Sequence, residues 1–342
     1  NDDDDERAFD DDYDDDDTNF VFAHGRRYHA SNGGRAFYPL PNDELEQERD
    51  DMKHNLALWM MHDKLFYAPV DEALRRGGAV FDLGTGTGTW AMELAKIYTT
   101  SQIHGCDLSP IQPAYVWDNV FFATGDFEDA ATWDEYPDGA FDYIHMRYTL
   151  FAVQDPAALI QRAWKYLKPG GYLEFQEVLY WPQADDNTLS PETPYAFRDF
   201  CYYMQQALAR LTSPGMDLFA INRVAELMRT PPPPPLFNDI TEVRHKLPIG
   251  RWPASRRQRE KGIWFLRMVI LEGLGAIAKR AFVTGLGWTE VQVEMFLFEV
   301  RRSLLEWDGV HAYLPFTVVY GRKPLEDGSA AVGGHDVVMG GA

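Results

Sequence analysis

Between a short apolar run and a helix-like stretch the chain reads FDLGTGTGTW, residues 81–90, with glycine at 84, 86 and 88 and threonine after each. Glycine has no Cβ, so its backbone adopts positive φ freely and can pass directly beneath a ligand. Three glycines at alternate positions between a strand and a helix point to a nucleotide-type binding turn. The dinucleotide fingerprint G-x-G-x-x-G is one residue longer than this G-x-G-x-G. The P-loop requires Gly-Lys-Ser/Thr, and no lysine follows Gly88. Taken alone, the loop also reads as a tight strand–helix turn with no ligand.

The surrounding pattern predicts strands over 79–83, 102–108, 119–126, 140–147 and 172–178, with helices over 89–98 and 155–167. Strands alternating with helices at this spacing call for a doubly wound, mostly parallel α/β sheet covered on both faces. Asn42 or Asp43 is placed to cap a helix running to about Tyr67, whereas 18–43 otherwise reads as irregular. KPGG, 168–171, reads as a helix stop. Beyond residue 180 the alternation breaks. Helices are expected over 193–211, 216–228, 257–282 and 289–307, and strands over 240–250 and 312–323. The apolar run 263–278 contains Arg267 and Glu272 and reads as a core or interface helix, not a membrane span.

Charge separates the tails from the body. The net charge is −21, and residues 1–17 hold eleven aspartates and one glutamate against one arginine. So dense a block repels itself and buries no apolar area, so it reads as disordered. It is a solvated tail or an acidic arm for a basic partner. The remainder is still acidic, which argues against nucleic acid as a partner, because a duplex needs a cationic face. The two cysteines, Cys106 and Cys201, form neither a disulfide framework nor a zinc site. With no signal-peptide pattern at the acidic N-terminus, they point to an intracellular protein, cytoplasmic or nuclear, with no bound metal.

The glycine loop with Asp82 two residues ahead of it resembles the motif of class I S-adenosylmethionine-dependent methyltransferases. That cofactor carries a carboxylate, suited to N–H groups at a helix start, and an ammonium, suited to Asp82. Asp107, ending the second strand, is able to accept hydrogen bonds from both ribose hydroxyls. The resemblance implies that Asp126 in GDFED takes the adenine amino group and that the Phe127 N–H meets a ring nitrogen. The segments YPDGAFDYIHMRY (136–148) and LKPGGYLEF (167–175) resemble the family's fourth strand and its turn into the fifth. The cofactor shell implied is Asp82, Gly84, Thr85, Gly86, Gly88, Asp107, Leu108, Asp126, Phe127, Met146 and Arg147.

RRYHA (26–30), LPNDELEQERDDMKHNLALWM (40–60), CDLSPIQP (106–113), LGWTEVQVE (286–294) and HAYLPFTVVYGRKP (311–324) resemble the fungal LaeA-like methyltransferases, over about residues 24–324. The resemblance implies a seven-stranded Rossmann-like sheet with its last strand antiparallel. It also implies either methylation of a small, secondary-metabolite acceptor or a regulatory role through protein partners. Where some relatives carry histidines after the fourth strand, this chain has Phe151 and Ala152. The catalytic candidates left are Glu177 at the end of strand five, and Tyr28 and His29 in the N-terminal segment. His145 reads as a packed core residue. Trp181, Phe197, Tyr202 and Tyr203 are candidates to line an acceptor pocket. The organisation expected is an acidic tail (1–17), an N-terminal extension with a helix (18–75), the cofactor core (76–183), a helical lid insertion (184–247), C-terminal helices and a last strand (248–324), and a second floppy tail (325–342). The lid or the acidic tail is the expected surface for any protein partner. PPPPP (231–235) reads as a stiff surface connector.

Overall fold

The computed structural model describes residues 20–30, 37–230, 236–306 and 309–325. The acidic run 1–17, the proline run 231–235 and all of 325–342 except Leu325 lie outside these residues.

The N-terminal extension opens with a hairpin, β1 (Phe20–Ala23) and β2 (Arg26–His29), where the sequence predicts irregular chain. Its two-residue turn is His24–Gly25, both at positive φ, the backbone twist that suits a tight hairpin. Helix α1 (Glu44–Met60) follows, with the Asp43 carboxylate as N-cap on the Glu46 N–H. Asp43 also accepts from the Arg26 guanidinium at 2.5 and 2.6 Å, which fastens the hairpin to the start of α1. The helix stops at Met60 and not near Tyr67, because His62 and Asp63 turn the chain through left-handed φ.

The short α2 (Asp71–Arg75) leads into β3 (Ala79–Leu83), α3 (Thr89–Ile97), β4 (Gln102–Asp107), β5 (Val120–Thr124), β6 (Phe141–Arg147), α4 (Pro156–Tyr166) and β7 (Leu167–Val178). KPGG lies within β7: the pairing with β6 shifts between Phe141 and Tyr143, so the glycines form a bulge at the start of the strand. Next come α5 (Ala196–Leu211), α6 (Ile221–Arg229) and β8 (Asn238–Pro248). The helix expected over 257–282 is a continuous rod: α7 (Arg256–Trp264), a π-helical stretch (Phe265–Leu271), α8 (Glu272–Arg280) and a second π stretch (Ala281–Gly285). The chain closes with α9 (Glu290–Glu306) and β9 (Tyr313–Arg322).

The main sheet has seven strands in the order β5-β4-β3-β6-β7-β9-β8. β5 through β7 run parallel, and β9 runs antiparallel to both β7 and β8. Alternating side chains fill both faces. Phe81, Leu83 and Ile144 join a cluster with α4 and α6, while Val80, Ile103 and Tyr143 pack under α3. α1, α5, the rod and α9 form a separate helical layer around Phe200, Phe265, Phe282 and Leu297. Strand order reverses between β3 and β6, and their carboxyl ends therefore flank the crevice where ligands of such sheets sit.

The segment 184–247 is not simply a lid. Its last part is edge strand β8, and α5 and α6 bury their apolar stripes in the helical layer and the α4 side of the sheet. Amphipathic helices gain most by covering other apolar surface, and α5 finds it in a cluster that includes Phe151, Ala152 and Val178, beyond the ends of β6 and β7.

Candidate active site at the strand tips

The glycine loop leaves β3 with Gly84, Gly86 and Gly88 at φ +69°, +56° and +78°. A Cβ on Gly84 would lie 2.7 Å from Thr149 Oγ1, and one on Gly88 2.4 Å from the Phe122 ring. Gly86 has nothing within 4 Å, so its open side faces a cavity. The loop is held from below, since Gly84 N and Thr85 N both donate to Cys106 O, at 2.9 and 3.0 Å. Gly86 N donates to Asp107 Oδ2 at 2.8 Å, and Gln112 Nε2 donates to Gly86 O at 2.7 Å. Thr87 and Thr89 donate to Asp51 Oδ1 at 2.8 and 2.7 Å, which clamps α1 onto the loop.

Three carboxylates line the cavity from the tips of successive strands. Buried Asp82 accepts from Thr85 Oγ1 at 2.7 Å and lies 2.7 Å from His145 Nδ1. The His145 ring stacks on Trp90 with centroids 3.8 Å apart. Burial lowers the His145 pKa despite the Asp82 carboxylate beside it, so the imidazole is neutral. Asp107 uses one oxygen for Gly86 N and the other for Ser109 N, at 3.0 Å. Burial pushes its pKa up to about 6, opposed by those two N–H bonds. Asp126 Oδ1 accepts from Glu128 N at 2.8 Å, and Phe127 and Glu128 complete that end of the cavity.

The outer wall comes from the N-terminal extension: Phe37, Tyr38, Pro41 and Asn42, then Glu46, Gln47, Asp50, Lys53 and His54 of α1. Asn42 Nδ2 reaches across to Ser109 Oγ at 2.9 Å. Burial works to raise the Asp50 pKa, but Lys53 and Arg49 outweigh it and hold the carboxyl below its usual range. Six carboxylate side chains line the cavity (Glu46, Asp50, Asp82, Asp107, Asp126, Glu128) against the cations Lys53 and Arg147. Such a site favours a ligand carrying positive charge.

Of the cofactor residues expected from sequence, Asp82, Gly84, Thr85, Gly86, Asp107, Leu108, Asp126, Phe127 and Arg147 line the cavity. Gly88 starts α3 against Phe122 and does not line it. Met146 points to the opposite face of the sheet, into the cluster of Phe81 and Ile144, because side chains alternate along β6. His145 is buried as expected but borders the cavity.

None of the three catalytic candidates lines the cavity. Glu177 is fully buried and accepts from Leu150 N and Val178 N at 3.2 and 3.0 Å; burial raises its pKa to about 7. Tyr28 is buried in the hairpin with the Arg280 guanidinium 4.6 Å above its ring, and His29 is half-buried on the same strand. Trp181, Phe197, Tyr202 and Tyr203 lie off the cavity as well, in the clusters around α5 and α6 or, for Tyr202, exposed. The residues missed are those of α1. ELEQERDDMKH carries no sequence signal that would have placed it there, since only the structure shows that its charged residues Glu46, Arg49, Lys53 and His54 are buried.

The fold and this cavity define the chain as an S-adenosylmethionine-dependent methyltransferase. The residues present fit that cofactor: an open glycine face, carboxylates for its hydroxyls and ammonium, and an arginine beside them. A family described as "Methyltransferase domain" matches residues 52–213. "Methyltransferase pytC" of Aspergillus terreus is 35% identical over 315 residues, covering 89% of this chain and 88% of the relative. "Secondary metabolism regulator laeA" of Aspergillus flavus is 30% identical over 307 residues, covering 89% of this chain and 78% of the relative. "Secondary metabolism regulator LAE1" of Cochliobolus heterostrophus is 29% identical over 305 residues, covering 88% and 94%. The chain belongs to the LaeA-like family of fungal methyltransferases. Among the described residues no helix is long and apolar enough to cross a membrane.

Proposed function

We propose that the protein transfers the methyl group of S-adenosylmethionine to a small-molecule acceptor of secondary metabolism. The observation that carries this reading is the acidic cavity walled by α1 over the strand tips. In this reading Asp107 holds the ribose, Asp126 and the Phe127 N–H hold the adenine, and Asp82, fixed by His145 and Thr85, takes the ammonium. When bound, the cofactor supplies a methyl group already activated on a sulfonium. The protein's own work is to orient the acceptor and exclude water. Phe37, Tyr38, Tyr148 and Ala152 offer the acceptor an apolar and aromatic wall beside Asp50 and Lys53. For an acceptor that arrives as a hydroxyl, ionised Asp50 replaces Glu177, Tyr28 and His29 as the group placed to take its proton. An intracellular site of action, cytoplasmic or nuclear, belongs to the same proposal.

A regulatory role through protein partners is the second reading. It is favoured by the relatives named as regulators and by α9, which exposes Val291, Met295, Phe298 and Leu305 on one face. Incubation with methyl-labelled cofactor and a fungal extract separates the two. Label in the small-molecule fraction is the result expected. Label confined to protein, or none above background, would contradict the small-molecule reading.

A further inference from the structure

Arg147 is the last residue of β6 and its side chain lines the cavity. Its Nη2 donates to His54 Nδ1 on α1, at 2.7 Å. Among the described residues no carboxylate lies within ion-pair distance of it, although Asp82 and Glu93 are near enough to act on its charge. An arginine in a protein keeps its proton, so this contact requires a lone pair on His54 Nδ1. His54 must then be neutral with its proton on Nε2. Its surroundings favour the neutral form. Burial, and then the charge of Arg147, lowers the His54 pKa to about 3. Glu93 Oε2 on α3 lies 3.1 Å from His54 Nε2, a close approach without hydrogen-bond alignment, so the Arg147 contact at Nδ1 is what fixes the tautomer. Glu93, His54 and Arg147 thus form a line from α3 through α1 to the cavity. The far edge of the guanidinium keeps donors for an anion, in a cavity otherwise rich in carboxylates.

We propose that His54 is a positioning residue, aiming the Arg147 fork at the carboxylate of the cofactor's amino-acid end. This rests on the cofactor reading above. The neutral imidazole is suited to the task. A carboxylate in its place would neutralise Arg147 and spend it, whereas a histidine lone pair orients the guanidinium and leaves its charge available.

The test is calorimetric titration of the full chain with S-adenosylmethionine and with its decarboxylated analogue. A charge-assisted pair predicts that the wild type prefers the intact cofactor by about 10- to 150-fold. In His54→Leu the intact cofactor loses affinity, the analogue does not, and the preference collapses to roughly threefold or less. Arg147→Met does the same. His54→Asn retains the preference, because its amide oxygen can occupy the place of Nδ1. His54→Gln, which reaches to the place of Nε2, does not, and this polar pair serves if the leucine variant fails to fold. Equal losses for both ligands in His54→Leu, or a preference that survives in it, would overturn the proposal. A wild type that binds both ligands equally overturns it while leaving the cofactor reading intact. A wild type that binds neither removes both.

Discussion

Asp107 shows how a single group ties sequence to chemistry. Its position at the end of the second strand, after a glycine loop, was readable from spacing. That burial raises its pKa to about 6 was not, since this depends on what covers it. Asp107→Ala removes a charged hydrogen-bonding partner worth roughly 1.5–3 kcal/mol, so cofactor affinity should fall about 10- to 150-fold by calorimetry with the fold intact. The pH dependence has opposite signs for binding and stability. The folded pKa lies above the ordinary carboxyl value of roughly 3.9, so this group's contribution to the stability of the free protein is full below about pH 4 and lost as pH rises through 6. Cofactor affinity should instead rise over that window, as the carboxylate forms. An affinity flat between about pH 5 and 7 would contradict the ribose role. Two glycines make a further contrast. Gly88→Ala places a Cβ 2.4 Å from Phe122 and should lower the melting temperature by several degrees, the shift roughly 1–3 kcal/mol produces. Gly86→Ala meets no protein atom, so it carries only the cost of its positive φ and should lose cofactor affinity more than stability. Equal melting temperatures for the two variants would contradict this division.

At the scale of elements, the alternating strands and helices were legible because each carries its own periodicity and turn residues. β3 spans 79–83 as its apolar run predicts, and β4, β6 and α4 fall within a residue of expectation. The hairpin β1–β2 was not legible, for both strands have only four residues, β2 is the polar RRYH, and its anchorage depends on the Arg26–Asp43 pair. The π stretches of the rod were equally hidden, since nothing in residues 265–271 distinguishes them from an ordinary helix. The placement of α1 over the cavity was the costliest omission. It follows from contacts distant in sequence, such as Asp51 with Thr87 and Thr89. Asp51→Ala removes both bonds, worth roughly 0.5–1.5 kcal/mol each, so amides of α1 should exchange about 5- to 150-fold faster by hydrogen–deuterium exchange. Those of β3 and β6 should be unchanged. Unaltered exchange in α1 would show that its apolar face alone holds it.

For the whole molecule, the sheet supplies the tips of β3, β4, β5 and β6, and the N-terminal extension supplies the wall that encloses them. The insertion 184–247, expected as a lid, contributes to the helical layer and supplies an edge strand, and the catalytic candidates Glu177, Tyr28 and His29 lie off the cavity. The glycine loop and its acids were readable because they are local and carry fixed spacings. The acceptor side was not, because it is assembled from segments separated by about a hundred residues, such as Lys53 and Tyr148. The central claim is that this acidic cavity holds S-adenosylmethionine along the line from Asp82 through Asp107 to Asp126. A crystal structure with S-adenosylhomocysteine tests it most directly. The account predicts adenine at Asp126 and Phe127, ribose on Asp107, and the amino-acid end between Asp82 and Arg147 beneath α1. Density for the ligand elsewhere, or a cavity filled by protein side chains in its presence, would contradict it.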